Sequence, residues 1–451
     1  MFAKKIITKL VIGTLIVVCF FYGKNLNNWG HTPIIDNDAV SYYAYLPAAV
    51  LFHDLSFDFM KDLPADFDGK IWLETAPNGK PVIRMTMGLA LLWLPFFLIA
   101  HLAANLLGVQ ALGYSWPYQL SIFVAAVFYL LVGLVFLRKI LLKYFSEAVS
   151  AIVLLVVVLA TNLMFYVISE PGMSHVYSFA LITAFLFYTL KWIDQPNLLT
   201  SVGMGLLAGL IVLIRPVNGL VLIFPAAIAV SSLQDLKNRL TGRWKQILIA
   251  GLSAFVVVLP QLMYWKFQTG HFIFNSYMDS GRFYFASPNI WDGLFGFRKG
   301  WLVYTPVMLF SVAGLFLLKQ QLRMFRTPLL IFLVLFIYVM LSWWCWWYGG
   351  SFGSRPMVDV YGLLALPLAA FVAFFLKRSW LYKIVMSLLL GAFIFLNQFQ
   401  MSQYRTSLLH WDSMTQKAYF GIFLKKTWPE GYDKMIKIPD YEKALKGEEE
   451  E

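Results

Sequence analysis

Apolar runs of about 17 to 22 residues recur from one end of this chain to the other, and each is as long as an α-helix must be to cross the hydrocarbon core of a bilayer. Inside that core no water pairs with backbone N–H and C=O groups. A helix satisfies them internally, and runs this long without alternation are helical. The chain therefore reads as an all-α polytopic membrane protein. Hydrophobic residues fill 60% of its 451 positions and charged residues 13%, which excludes a soluble fold.

The formal net charge is +12. In a membrane protein Lys and Arg gather at the cytoplasmic ends of helices, so the excess needs no polyanionic partner, and no nucleic-acid role is assigned. Cys19 and Cys345 fall inside expected spans and build neither a disulfide framework nor a metal cluster. Lys4, Lys5 and Lys9 precede an apolar stretch from Leu10 to Phe21 that lacks a small-residue cleavage site, which reads as an uncleaved first helix.

Candidate spans fall at 6–22, 86–107, 117–137, 149–168, 174–192, 199–214, 217–233, 247–265, 301–318, 328–347, 358–376 and 382–399. The basic clusters Arg138/Lys139/Lys143, Lys237/Arg239/Arg243/Lys245, Lys319/Arg323/Arg326 and Lys377/Arg378/Lys383 belong with the N-terminus on the cytoplasmic side. They can share it only if one early segment does not cross. Segment 86–107 contains Pro95, His101 and Asn105 and runs into an uncharged link, so it is expected to be a juxtamembrane or re-entrant helix at the outer interface. About eleven spans remain, with the N-terminus in and the C-terminus out. Of the 24 acidic residues only Glu147, Asp194 and Asp235 then fall inside. The polar chemistry is thus expected at the outer face. The chain divides into a transmembrane domain, 1–399, with a long first outer loop at 23–85, and an extracytoplasmic tail, 400–451, whose final four glutamates are expected to be solvated. There is a further long outer segment at 266–300 and no internal repeat.

The first outer loop reads H-T-P-I-I-D-N-D-A-V-S-Y-Y-A-Y-L-P, which sets Asp36 and Asp38 just beyond the first helix in chain kept extended near Pro33. Side chains two apart in extended backbone share a face. Two such carboxylates suit a divalent cation, or one suits a general base towards an acceptor hydroxyl; alternatively, Asp38 simply caps a helix starting at Ala39. Arg84, Glu170, His175, Arg215, Arg355 and Asp359 stand where helices meet the outer surface. Ionisable groups there need partners or a task. The arginine fork matches phosphate, whereas the structural alternative pairs Glu170 with Arg215 and Asp359 with Arg355.

The run Trp343-Trp344-Cys345-Trp346-Trp347-Tyr348 sits at an outer helix end, where an aromatic belt is expected in preference to sugar stacking. No HExxH, Walker or dinucleotide fingerprint and no nucleophile elbow occurs. The spans lack mid-membrane carboxylates or lysines of the kind ion-coupled transporters use.

Four further strings complete the pattern: V-I-R-M-T-M-G-L-A-L-L-W-L-P-F-F, with Arg84 and Gly88; G-L-I-V-L-I-R-P-V-N-G-L, with Arg215; F-R-K-G-W-L-V-Y-T-P; and S-F-G-S-R-P, with Arg355. With the Asp36-Asn37-Asp38 element, their order along most of the chain resembles the GT-C superfamily of membrane glycosyltransferases, which includes protein O-mannosyltransferases and lipid A aminoarabinose transferases. Thr86 and Met87 stand where that family commonly has prolines. The resemblance implies a donor sugar on a polyprenyl phosphate, an outer-face pocket, and an acceptor hydroxyl on a protein, lipid or glycan. It makes Asp38 or Asp36 the base and gives the departing phosphate to Arg84, Arg215 or Arg355, with Glu170, His175 and Asp359 nearby. A divalent cation at Asp36 and Asp38 is left open. An envelope glycan polymerase or ligase and a lipid or glycan transporter are the alternatives.

Overall fold

The computed structural model describes residues 6–26, 33–64, 67 and 69–448. His31 and Thr32 of the first-loop string, and the last three of the four terminal glutamates, lie outside the described residues. The helices in chain order are α1 (Ile7–Leu26), α2 (Asp38–Tyr43), α3 (Gly88–Leu106), α4 (Trp116–Tyr144), α5 (Glu147–Leu159), α6 (Leu163–Ile168), α7 (His175–Asp194), α8 (Leu198–Ile214), α9 (Ile223–Ala227) and α10 (Leu233–Gly242). There follow α11 (Trp244–Thr269), α12 (Ile290–Phe295), α13 (Trp301–Tyr304), α14 (Met308–Leu315), α15 (Arg323–Leu341), α16 (Tyr361–Leu376), α17 (Trp380–Arg405), α18 (Gln416–Ile422) and α19 (Tyr441–Lys446). A two-residue-per-strand hairpin, β1 (Glu74–Thr75) and β2 (Pro81–Val82), is the one sheet among the described residues.

Among the described residues, eight helices are long and apolar enough to cross a membrane, the architecture of a polytopic membrane protein. Seven of the expected spans appear in this way. Four others are short or broken, each for a local reason. Segment 149–168 splits into α5 and α6 at Thr161, whose hydroxyl bonds back to the Val157 carbonyl, and Asn162, whose amide donates to the Phe352 carbonyl. Segment 301–318 splits at Pro306, which cannot continue the helical ladder. Pro216 ends α8, a helix of 17 residues, and the chain resumes as a 3-10 turn and α9 over Pro216–Ala227.

The helices alternate in direction. The starts of α7 and of the 3-10 turn leading into α16 lie beside the ends of α8, α11 and α15, around one cavity. The opposite end of the bundle is basic: Lys143 at the end of α4 pairs with Asp194 at the end of α7, and Arg243 before α11 donates to the Trp192 and Ile193 carbonyls. Helix α4 runs parallel to α7, with Tyr129 against Tyr177 and Phe136 against Phe187.

Helix α3 is long enough to cross by itself, yet its course differs from its neighbours'. It begins beside Ile214 and Tyr177 and rises to the first turn of α4, where His101 lies 2.6 Å from the Tyr118 hydroxyl. Both ends therefore stay on the cavity side. It is continuous through Pro95 and has none of the reversal that a re-entrant segment requires. Bundle packing is tight at small residues: a Cβ on Gly205 of α8 would collide with the Ala250 carbonyl of α11, and one on Gly314 of α14 with the Pro367 carbonyl of α16.

Candidate functional site

The loop after α1 is tied to the bundle by Gln119 of α4, whose Oε1 accepts from the backbone N–H of both Ile34 and Ile35 at 2.8 Å. This anchor presents Asn37 at positive φ, 52°, with ψ −135°, a backbone conformation that lies outside the αL well and that side-chain-bearing residues rarely adopt. Asp38 follows as the first residue of α2, and no side-chain capping bond precedes it. Its carboxylate instead lies 3.1 Å from the Arg355 guanidinium. Asp36 points elsewhere, to Lys70 at 2.7 Å, and is not part of the cavity wall. The two carboxylates face different cations. Among the described residues no group of three metal-ligating side chains forms, so the arrangement does not fit a shared divalent ion.

Arg215 precedes Pro216 and is forced into extended backbone, φ −148° and ψ 107°, which turns its side chain off the end of α8. There it approaches Asp359 at 3.1 Å. Asp359, fully buried, also meets His175 Nδ1 at 2.7 Å and accepts from Asn218 Nδ2 at 2.8 Å. The carboxylate thus has three partners, which offsets the cost of burying it. The pairings considered from sequence, Glu170 with Arg215 and Asp359 with Arg355, are replaced by Asp359 with Arg215 and Asp38 with Arg355. Arg84, just beyond β2, pairs with Glu74 of β1 across the hairpin.

Asp38, Arg84, His175, Arg215 and Arg355 all border one cavity of about 450 Å³. Aromatic side chains form part of its wall, with Tyr42, Trp265, Tyr277, Trp343 and Tyr348 among them. Among the described residues that line it, three guanidiniums and a single carboxylate thus share this chamber. A larger depression of about 650 Å³ near Lys61 and Lys80 contains none of these residues. The smaller cavity is the better site, because it gathers these charges and holds His175, Arg215 and Arg355 largely buried, and burial is what strengthens charge interactions.

Behind the cavity stand Glu170 and Lys299. Glu170 has a buried carboxylate oxygen without a hydrogen-bond partner, and burial raises its carboxyl to about 7, against the pull of nearby Arg355 and Lys299. Lys299, 2% exposed, donates to the Ser351 and Trp411 carbonyls. Burial lowers its ammonium to about 7, opposed by Asp412 and Glu170. This lysine was not singled out in the F-R-K-G string; a lysine between two glycine-rich turns of an apolar chain was its only signal. Gln119, Asn218, Tyr441 and Asp412 were equally silent.

The tryptophan run is more than a belt. Trp347 and Cys345 are buried with Ala444 in a small hydrophobic cluster of their own, and Trp343 and Trp344 reach the cavity. No known protein family matches the chain, and no curated protein is significantly similar to it.

Proposed function

We propose that this protein is a membrane glycosyltransferase of the GT-C type, moving a sugar from a polyprenyl-phosphate donor to an acceptor hydroxyl, with inversion, at the outer face of the inner (plasma) membrane. The observation that carries this reading is the convergence of Asp38, Arg84, Arg215 and Arg355 on one cavity partly walled by aromatic rings. The positive-inside rule assigns the basic end of the bundle to the cytoplasm and hence the cavity to the outside. Helix α3 then lies along the outer surface, and about eleven crossings remain when the four short or broken spans are included.

In the displacement, the acceptor oxygen forms a bond to the anomeric carbon while the bond from that carbon to the phosphate oxygen breaks. Asp38 takes the hydroxyl proton. The polyprenyl phosphate leaves with growing negative charge, which the guanidiniums of Arg84, Arg215 and Arg355 stabilise most where water is scarce. Asp359, itself held by Asn218, holds Arg215 in place, so that guanidinium need not reorganise as charge develops. No step runs through a metal ion.

A chamber of about 450 Å³ lies in the lower part of the range for small-molecule sites. It suits one sugar with its phosphate, which favours a single-sugar donor over the oligosaccharide of a polymerase or ligase. The deciding experiment is native mass spectrometry of the Asp38→Asn protein purified from its source membranes. A bound sugar-charged polyprenyl phosphate supports the reading and weighs the sugar. Absence of any such lipid, even when added in excess, would sink it.

A further inference from the structure

The C-terminal tail contributes a wall to the cavity. Tyr441, the first residue of α19, lines it, although it is separated in sequence from every other lining residue by the whole of α17 and α18. Its ring packs against Trp344 and Trp347, with centroids 6.3 and 5.5 Å away. Its hydroxyl donates to Asp412 Oδ2 at 2.9 Å and accepts from Trp347 Nε1 at 3.4 Å.

This wall is braced rather than loosely laid on. Asp412 is 1% exposed and is held on its other oxygen by the Ser413 hydroxyl at 2.7 Å. The neighbouring Trp411 carbonyl receives the buried Lys299 ammonium, which also holds Ser351, in the turn that leads to Arg355. Further along, the Tyr284 hydroxyl donates to the Leu445 carbonyl, and the Lys437 N–H to the Ser413 carbonyl. The tail and the Arg355 turn therefore share one set of buried polar contacts. A buried network with its partners in place fixes a geometry.

We propose that Tyr441 is a specificity-determining residue: it bounds the cavity on the aqueous side and sets the size of the group that can reach Asp38. The proposal rests on the transferase reading for its meaning. A lipid-linked donor arrives through the bilayer, between helices, whereas a segment lying beyond the last span can restrict only the approach from water. That approach is the acceptor's.

The test needs neither donor nor acceptor. In the full-length protein carrying Cys19→Ser and Cys345→Ser, Ser174→Cys places a single reporter thiol in the cavity wall, where Ser174 is 4% exposed. Small methanethiosulfonate reagents should label it, and a bulky biotin-maleimide should not. Adding Tyr441→Ala should speed bulky labelling by an order of magnitude, while Tyr441→Phe, which keeps the ring, should leave it slow. If Tyr441→Ala does not fold, Tyr441→Leu keeps apolar contact with the tryptophans and should give the same change. Bulky labelling that is equal with and without the ring overturns the proposal. Lipid binding by the wild-type protein is read separately, so a shifted size limit without a bound sugar-charged lipid would leave the wall standing and remove the transferase.

Discussion

The Arg355 guanidinium lies 3.1 Å from the Asp38 carboxylate, joining the turn before α16 to the loop after α1. The proposed base is thus held by one of the groups proposed to receive the leaving phosphate. Asp38→Asn should lower sugar transfer by roughly 10²–10⁴-fold, the usual worth of a positioned general base, without loss of expression. Asp36→Asn, which disturbs only the pair with Lys70, should keep most activity. Equal losses in initial-rate assays of the two variants would contradict this assignment.

Asp359 anchors Arg215, His175 and Asn218 from a fully buried position. Asp359→Ala should cost about 3–5 kcal/mol, because it leaves a guanidinium without its counter-charge. Thermal unfolding in detergent, followed by tryptophan fluorescence, reads this as a lowered midpoint; an unchanged midpoint would mean that the cluster contributes nothing to the fold.

Glu170 carries its carboxyl at about 7, above the ordinary value of 4.5, because it is buried. Between those two values the folded protein holds a proton that the unfolded chain releases. This stabilisation is complete below about 4.5 and is lost as pH rises through about 7. Glu170→Gln should therefore flatten the fall in melting temperature across that window. A wild-type profile that rises there, or one the substitution leaves untouched, would contradict it.

Gly205 and Gly314 stand where a side chain would strike a carbonyl of the neighbouring helix. Gly205→Leu and Gly314→Leu should each destabilise by about 1–3 kcal/mol or more through overpacking. Gly251→Leu, on α11 with open space around its Cβ position, is the matched control and should be close to neutral in the same melting assay.

A cysteine introduced within residues 108–115, between α3 and α4, should react from outside intact cells with an impermeant thiol reagent. Protection there, with labelling only after permeabilisation, would place the link on the cytoplasmic side and invert the topology.

Much of the site was legible as a set of residue types at helix ends. Asp38, Arg84, His175, Arg215 and Arg355 could each be singled out because a charge beside an apolar run is costly and so informative. What could not be read was who pairs with whom. Asp36 and Asp38 are equivalent by spacing, and only the fold turns one to Lys70 and the other to Arg355. Tyr441 carried no signal, since an aromatic residue in a polar tail looks the same whether it faces water or a cavity.

The sequence by itself determined the solvent this protein lives in, its all-helical class and the end of the bundle where its charges collect. Those follow from hydropathy and charge, which act along the chain and need no partner. Tertiary structure alone decided that Asp38 pairs with Arg355 and Asp359 with Arg215, and that a residue of the tail lines the cavity. Each of those depends on a contact between residues far apart in sequence, and a long-range contact is specified by the shape of both surfaces at once.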